Sequence, residues 1–163
     1  MGLALRSLSW AILFPGIVAG YVPWRWFGLR AVVLDARRPL HWAGVLAAGT
    51  GAVLLALCIL EFARAGRGTL SPVDPPRALV VHGLYRHVRN PMYLSVTLVL
   101  LGEVALTRSP ALLAYWIAWF VAVNLFVLGH EEPSLRREFG AEFEAYAANV
   151  RRWLPRLRPW HPQ

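Results

Sequence analysis

The apolar positions of this chain gather into four runs, near 8–24, 41–62, 91–107 and 111–129. Each is comparable with the roughly 20 helical residues that cross a hydrocarbon core. The first follows Arg6, as a secretory signal would, yet it contains Pro15 and Pro23 and ends in YVPWRW rather than in a small-residue cleavage site. It is therefore read as a membrane span. Between the first two runs, VPWRWFGLRAVVLDARRPLHW mixes tryptophan with arginine, as segments lying at headgroup level do. The second run carries Gly44, Ala48 and Gly51, small surfaces suited to close helix approach. The turn Thr107-Arg108-Ser109-Pro110 is short enough to make the last two runs an antiparallel hairpin.

Two segments break the apolar pattern. RAGRGTLSPVDPPRALVVHG is too rich in Gly and Pro for a continuous helix. After the fourth run, Leu135, Phe139, Phe143, Tyr146 and Val150 recur at helical spacing, which predicts an amphipathic helix over 133–150 folded onto the membrane face. Pro133 suits its first turn, and Glu131 and Glu132 suit the positive end of its dipole. The expected fold is an all-α integral membrane protein: one domain, 1–163, with about four transmembrane helices and this C-terminal amphipathic helix.

Composition sharpens that picture. Of 163 residues 57% are hydrophobic and eight are tryptophan, above the apolar share of ordinary soluble domains. With four spans, twelve arginines share the side holding the N-terminus, the 63–90 loop and the C-terminal tail, against five on the other. The positive-inside rule then places both termini in the cytoplasm, in a membrane of the bacterial inner type. The formal net charge of +8 does not point to nucleic acid, because the arginines flank spans and form no separate basic domain. Cys58 is the only cysteine, which excludes a disulfide framework and reads as apolar filler. Lipid is the expected surrounding, and oligomeric state is not encoded in any pattern here.

Polar chemistry concentrates at two places. In GLYRHVRNPMYLS, Pro91 turns the chain and starts a helix, Asn90 suits its cap, and Arg86 and Arg89 join the first-turn N–H groups in an anion site beside Tyr85 and Tyr93. The other place is Glu131 and Glu132, which end an apolar run where unpaired carboxylates are costly and call for nearby cations. The same residues also suit headgroup anchoring, an aromatic belt and plain dipole complementarity. A ligand reading needs both places to close on one zwitterionic or cationic molecule. His82, His87 and His130 follow no familiar zinc spacing, so no metal is expected; His41 and His161 look incidental.

Gly83, Tyr85, Arg89, Asn90, Pro91 and Tyr93, followed by Glu131, Glu132, Leu135, Phe139, Gly140, Phe143, Tyr146 and Val150, resemble the two motifs of the isoprenylcysteine carboxyl methyltransferase and phospholipid methyltransferase superfamily. Leu154-Pro155 fits as well. The resemblance covers roughly the C-terminal half and implies a membrane enzyme that takes a methyl group from S-adenosylmethionine, held at the cytoplasmic face under the tail helix. It implies cofactor binding by Gly83, Tyr85, Arg89, Asn90, Pro91, Tyr93, Glu131, Glu132 and Tyr146, and a lipidic or small hydrophobic acceptor. Many members have histidine in place of Asn90 and glycine in place of Ser95. Asparagine cannot carry a proton, so Asn90 is assigned to binding alone. His87, His130 and Glu131 are the expected catalytic groups, the histidines because their ordinary pKa lies near working pH. A catalytically inactive scaffold or lipid-binding protein, or a membrane reductase of similar architecture, is the alternative.

Overall fold

The computed structural model describes residues 13–65 and 79–161; the start of the first run and most of the Gly/Pro-rich loop lie outside them. The described residues are helical and contain no strand. A wide π-helical turn at Ile17–Tyr21 leads into α1 (Val22–Trp26), which ends at Gly28 in the left-handed region, followed by a single 3₁₀ turn at Leu29–Ala31. Then come α2 (Pro39–Ala65), α3 (Pro91–Thr107), α4 (Pro110–Phe126) and α5 (Glu132–Asn149).

Prolines set the starts. Pro39, Pro91 and Pro110 each open a helix, where the missing N–H costs nothing. Ser109 adds the N-cap of α4, its hydroxyl accepting from Leu112 N at 3.2 Å, so the 108–109 turn reverses the chain as expected. At the start of α2, Asp35 organises the approach: its carboxylate accepts from Arg37 N and Arg38 Nε, and its own N–H donates to His41 Nδ1 at 3.1 Å.

α2 and α3 touch backbone to backbone. A Cβ on Gly51 would lie 2.6 Å from Ser95 O, and one on Gly102 2.6 Å from both Gly44 O and Ala48 N. Small residues on both helices thus remove the side chains that would hold the axes apart. Val18, Ala19, Val96, Leu100 and Leu112 form one core, which ties the N-terminal turn to the α3–α4 hairpin.

Two helices, Pro39–Glu61 and the run beginning at Pro110, are long and apolar enough to cross a bilayer; α3 is a shorter apolar helix of 17 residues. Outward-facing Leu46, Val53, Ile117, Val121 and Leu125 suit a lipid surrounding. The tail departs from expectation in one respect. It does not start afresh at Pro133: α4 runs on through a π-helical turn at Val127–Glu131 directly into α5. The break comes later, at Gly140, whose φ of 48° and ψ of −119° bend the helix in a conformation open to glycine. The bend is what folds the predicted stripe inward. Phe143, Tyr146 and Val150 are buried against Val81, with Leu135, Phe139 and Trp160 at the margin.

Candidate functional site

The two polar places identified in the sequence meet. Glu132 is 5% exposed and lies between two guanidinium groups. Arg152 binds it with both ends, Nε to Oε1 at 2.7 Å and Nη2 to Oε2 at 2.9 Å, while Arg89 Nη2 approaches Oε1 at 3.3 Å. Burial alone would raise this carboxyl, but the Arg152 hydrogen bonds and the charges of Arg89 and Arg152 outweigh it and hold it below the ordinary range. Arg152 is raised in return, chiefly by the hydrogen bond it donates to Glu132.

Glu131 behaves differently, although it is the adjacent residue. Successive helical residues point about 100° apart. Its Oε2 accepts from the Tyr93 hydroxyl at 3.1 Å, and among the described residues no cation pairs with it. Burial pushes its carboxyl up, the Tyr93 bond opposes this, and the charge of Glu132 adds to the rise. One glutamate is therefore committed to an internal ion pair, and the other keeps hydrogen-bonding capacity.

Around Glu131 the groups are aromatic and acidic. The Tyr85 phenol is held well above its ordinary range, first by burial and then by the nearby Cys58, Glu131, Tyr146 and Glu61. Tyr146, 3% exposed, donates from its hydroxyl to Tyr85 O at 2.6 Å, and its ring packs 5.8 Å from Trp160. Tyr93 faces Trp153 at 6.4 Å, and the Trp153 indole N–H donates to Asn124 Oδ1 at 2.9 Å. Burial lowers Arg89, with Glu132 opposing, though a guanidinium stays charged throughout the physiological range. Its Nε is buried and has no hydrogen-bond partner.

Gly83 has a local reason to be glycine. It sits at φ 50° at the head of a 3₁₀ turn, Gly83–Arg86, and a Cβ there would collide with the Glu61 carboxylate, whose Oε2 accepts from Leu84 N at 3.3 Å. Glu61 was not singled out in the sequence; it lies one turn beyond Cys58 on α2, and only the fold brings it to this turn.

Asn90 requires a correction. It occupies the cap position of α3 but makes no side-chain cap bond. Its Nδ2 donates instead to Arg152 O at 3.4 Å, across 62 residues. The hydroxyl of Ser95, the other departure from the commoner pattern, turns back to Pro91 O at 2.7 Å within its own helix. Pro91 itself is buried.

Asn90 leads to the feature that sequence reasoning missed. Residues after Val150 form an irregular strap across the 86–90 segment. Arg89 N donates to Arg151 O at 3.0 Å, Arg156 N to His87 O at 2.9 Å and Trp160 N to Arg86 O at 3.0 Å. Side chains reinforce the pairing: Arg86 Nε donates to Trp160 O at 2.8 Å, Arg86 also meets His161, and His87 Nδ1 donates to Arg156 O at 2.8 Å. With Nδ1 so engaged, Nε2 is the ring nitrogen that no other described residue bonds. His130 is not brought into the cluster; it is exposed and its ring lies 5.3 Å from Phe126.

The sequence profile described as phospholipid methyltransferase matches residues 40–142. The chain belongs to the phospholipid methyltransferase family. The match covers α2, α3, α4 and the first half of α5, so it contains Arg89, Glu131 and Glu132 and stops before the strap. A protein of Haemophilus influenzae described as uncharacterized is 41% identical over 64 residues, which is 39% of this chain and all of that protein. No solved structure matches. Family membership points to methyl transfer onto lipid in a membrane setting, and the apolar α2 and α4 agree with that setting.

Proposed function

We propose that this protein transfers a methyl group from S-adenosylmethionine to a lipidic or small hydrophobic acceptor at the cytoplasmic membrane face. The observation that carries the reading is that Arg89, whose buried Nε has no hydrogen-bond partner, pairs with Glu132, and that the adjacent Glu131 has no cation partner among the described residues. A cation with a spare donor and a carboxylate without a cation, joined through Glu132, suit a zwitterionic amino-acid group, which is the polar end of that cofactor. When bound, the cofactor supplies an electrophilic methyl on a sulfonium.

The chain's own residues then bind, orient and exclude water. Arg89 holds the methionine carboxylate, with Asn90 and the N–H groups behind Pro91 completing the helix start. Glu131, braced by Tyr93, meets the ammonium, while Glu132 keeps Arg89 and Arg152 in place. Tyr85, Tyr93 and Tyr146 line the adenosyl side, and Gly83 lets the 83–86 turn approach closely. Methyl transfer needs an aligned, deprotonated nucleophile in a dry site rather than covalent help. If the acceptor is an amine or thiol, the Nε2 of His87 takes its proton. His130, whose ring lies tilted against Phe126, serves only if the acceptor enters along that face. The excess of arginine on one side supports placing the site, and both termini, in the cytoplasm.

The test is direct. Purified protein in lipid nanodiscs should bind S-adenosylmethionine and its demethylated product saturably, and should move a labelled methyl group into a lipid extract. Absence of saturable binding would overturn the reading. Binding without transfer would favour a scaffold that keeps the fold.

A further inference from the structure

The strap has two unlike faces. Arg152, Trp153, Arg156 and Trp160 turn inward to Glu132, Asn124, Asn149 and Tyr146. Between them Leu154 is 62% exposed and Leu157 is 99% exposed, flanked by the exposed Arg151 and Arg158. Leaving two leucines in water while Arg152 and Arg156 are half-buried against the protein inverts the usual order for a water-facing segment. The position supplies the explanation. The strap is bonded to residues 86–89, directly before Pro91 starts an apolar helix, which sets it beside the end of that helix.

We propose that the outer face of the strap, Leu154 and Leu157 between Arg151 and Arg158, docks on an anionic phospholipid surface. The leucines enter the boundary between headgroups and acyl chains, and the arginines pair with lipid phosphates, as in other interfacial segments. The choice of leaflet rests on reading the chain as a membrane methyltransferase; the contact itself rests on the strap alone. Docking would hold the inner face, and with it Arg152 on Glu132, over the site.

The test uses the full chain with Leu157→Cys carrying an environment-sensitive fluorophore. Cys58 is buried, so the unsubstituted protein serves as the labelling blank. Nanodiscs of phosphatidylcholine are compared with nanodiscs containing phosphatidylglycerol. The expected result is blue-shifted emission, shielded from acrylamide, in the anionic bilayer and reversed by salt. Replacing Arg151 and Arg158 by glutamine, both at exposed positions, should weaken the docking equilibrium on the order of thirty-fold. Equal quenching in both bilayers, or equal protection in neutral lipid, overturns the assignment. So does protection that follows the number of protein copies per disc, which would mean a second copy covers the face. The readout contains no cofactor, so a protein that docks yet transfers no methyl group refutes the methyltransferase reading alone.

Discussion

Glu132→Gln and Glu131→Gln should separate two roles that adjacent carboxylates conceal. Removing the Glu132 charge leaves Arg89, whose side chain is 12% exposed, facing Arg152 with nothing between them. Breaking a fully buried pair by neutralising one partner costs about 3–5 kcal/mol. Arg152 is 28% exposed and regains some water, which reduces the expected loss to about 2–4 kcal/mol. Glu131→Gln keeps a neutral acceptor for the Tyr93 hydroxyl and relieves a desolvated charge, so its stability should change by less than about 1 kcal/mol. Cofactor affinity should move the other way: Glu131→Gln removes the charge proposed to meet the cofactor's ammonium, at normal stability. The assays are unfolding of detergent-solubilised protein and calorimetric binding of S-adenosylmethionine. A Glu132→Gln protein as stable as the parent would refute the ion-pair account, and a Glu131→Gln protein with unchanged affinity would refute the division of labour.

Three further outcomes are expected. Glu132 is depressed below its ordinary value of 4.5, so its stabilising contribution is complete above that pH and is lost as pH falls through the lower folded value; Glu131 is raised, so the ionised form that attracts a cationic ligand, and hence affinity, should grow as pH rises through a value above 4.5. A pH titration of unfolding and of binding checks both signs. Gly83→Ala should cost about 1–2 kcal/mol for the left-handed backbone alone and more for displacing Glu61, visible as a lowered melting temperature. Glu103, 5% exposed within α3 and with an Oε2 that has no partner, should be dispensable for folding, and Glu103→Met should stabilise the protein by about 1–3 kcal/mol in the same melts.

What could be read in the sequence divides along a physical line. The helix start at Pro91, the reversal through Thr107-Arg108-Ser109-Pro110, and the small-residue seam of Gly44, Ala48 and Gly51 all follow from local steric rules, and the structure contains each of them, with Pro110 itself already the first residue of α4. The stripe from Leu135 to Val150 was legible because periodicity survives the bend at Gly140, although the bend itself was not. Long-range pairings were hidden. Asn90 looked like a cap, since that is its commonest use before proline, and tertiary contact with Arg152 O took it away. Glu61 belongs to the site only through the packing of α2. Arg152 could have been found by asking which cation neutralises Glu132. The strap gave no periodic signal because proline-spaced irregular chain has none, and the turn through Val127–Glu131 resembles any other helical stretch in residue pattern.

That turn has a mechanical consequence. Because the helix continues from Pro110 through Glu132 to Gly140, both carboxylates are rigidly coupled to the tilt of α4. Membrane helices answer a change in hydrocarbon thickness by tilting. Acyl chain length in the host bilayer would therefore bear on the height of Glu131 and Glu132 relative to the 86–90 segment, making the geometry of this polar cluster a function of membrane thickness.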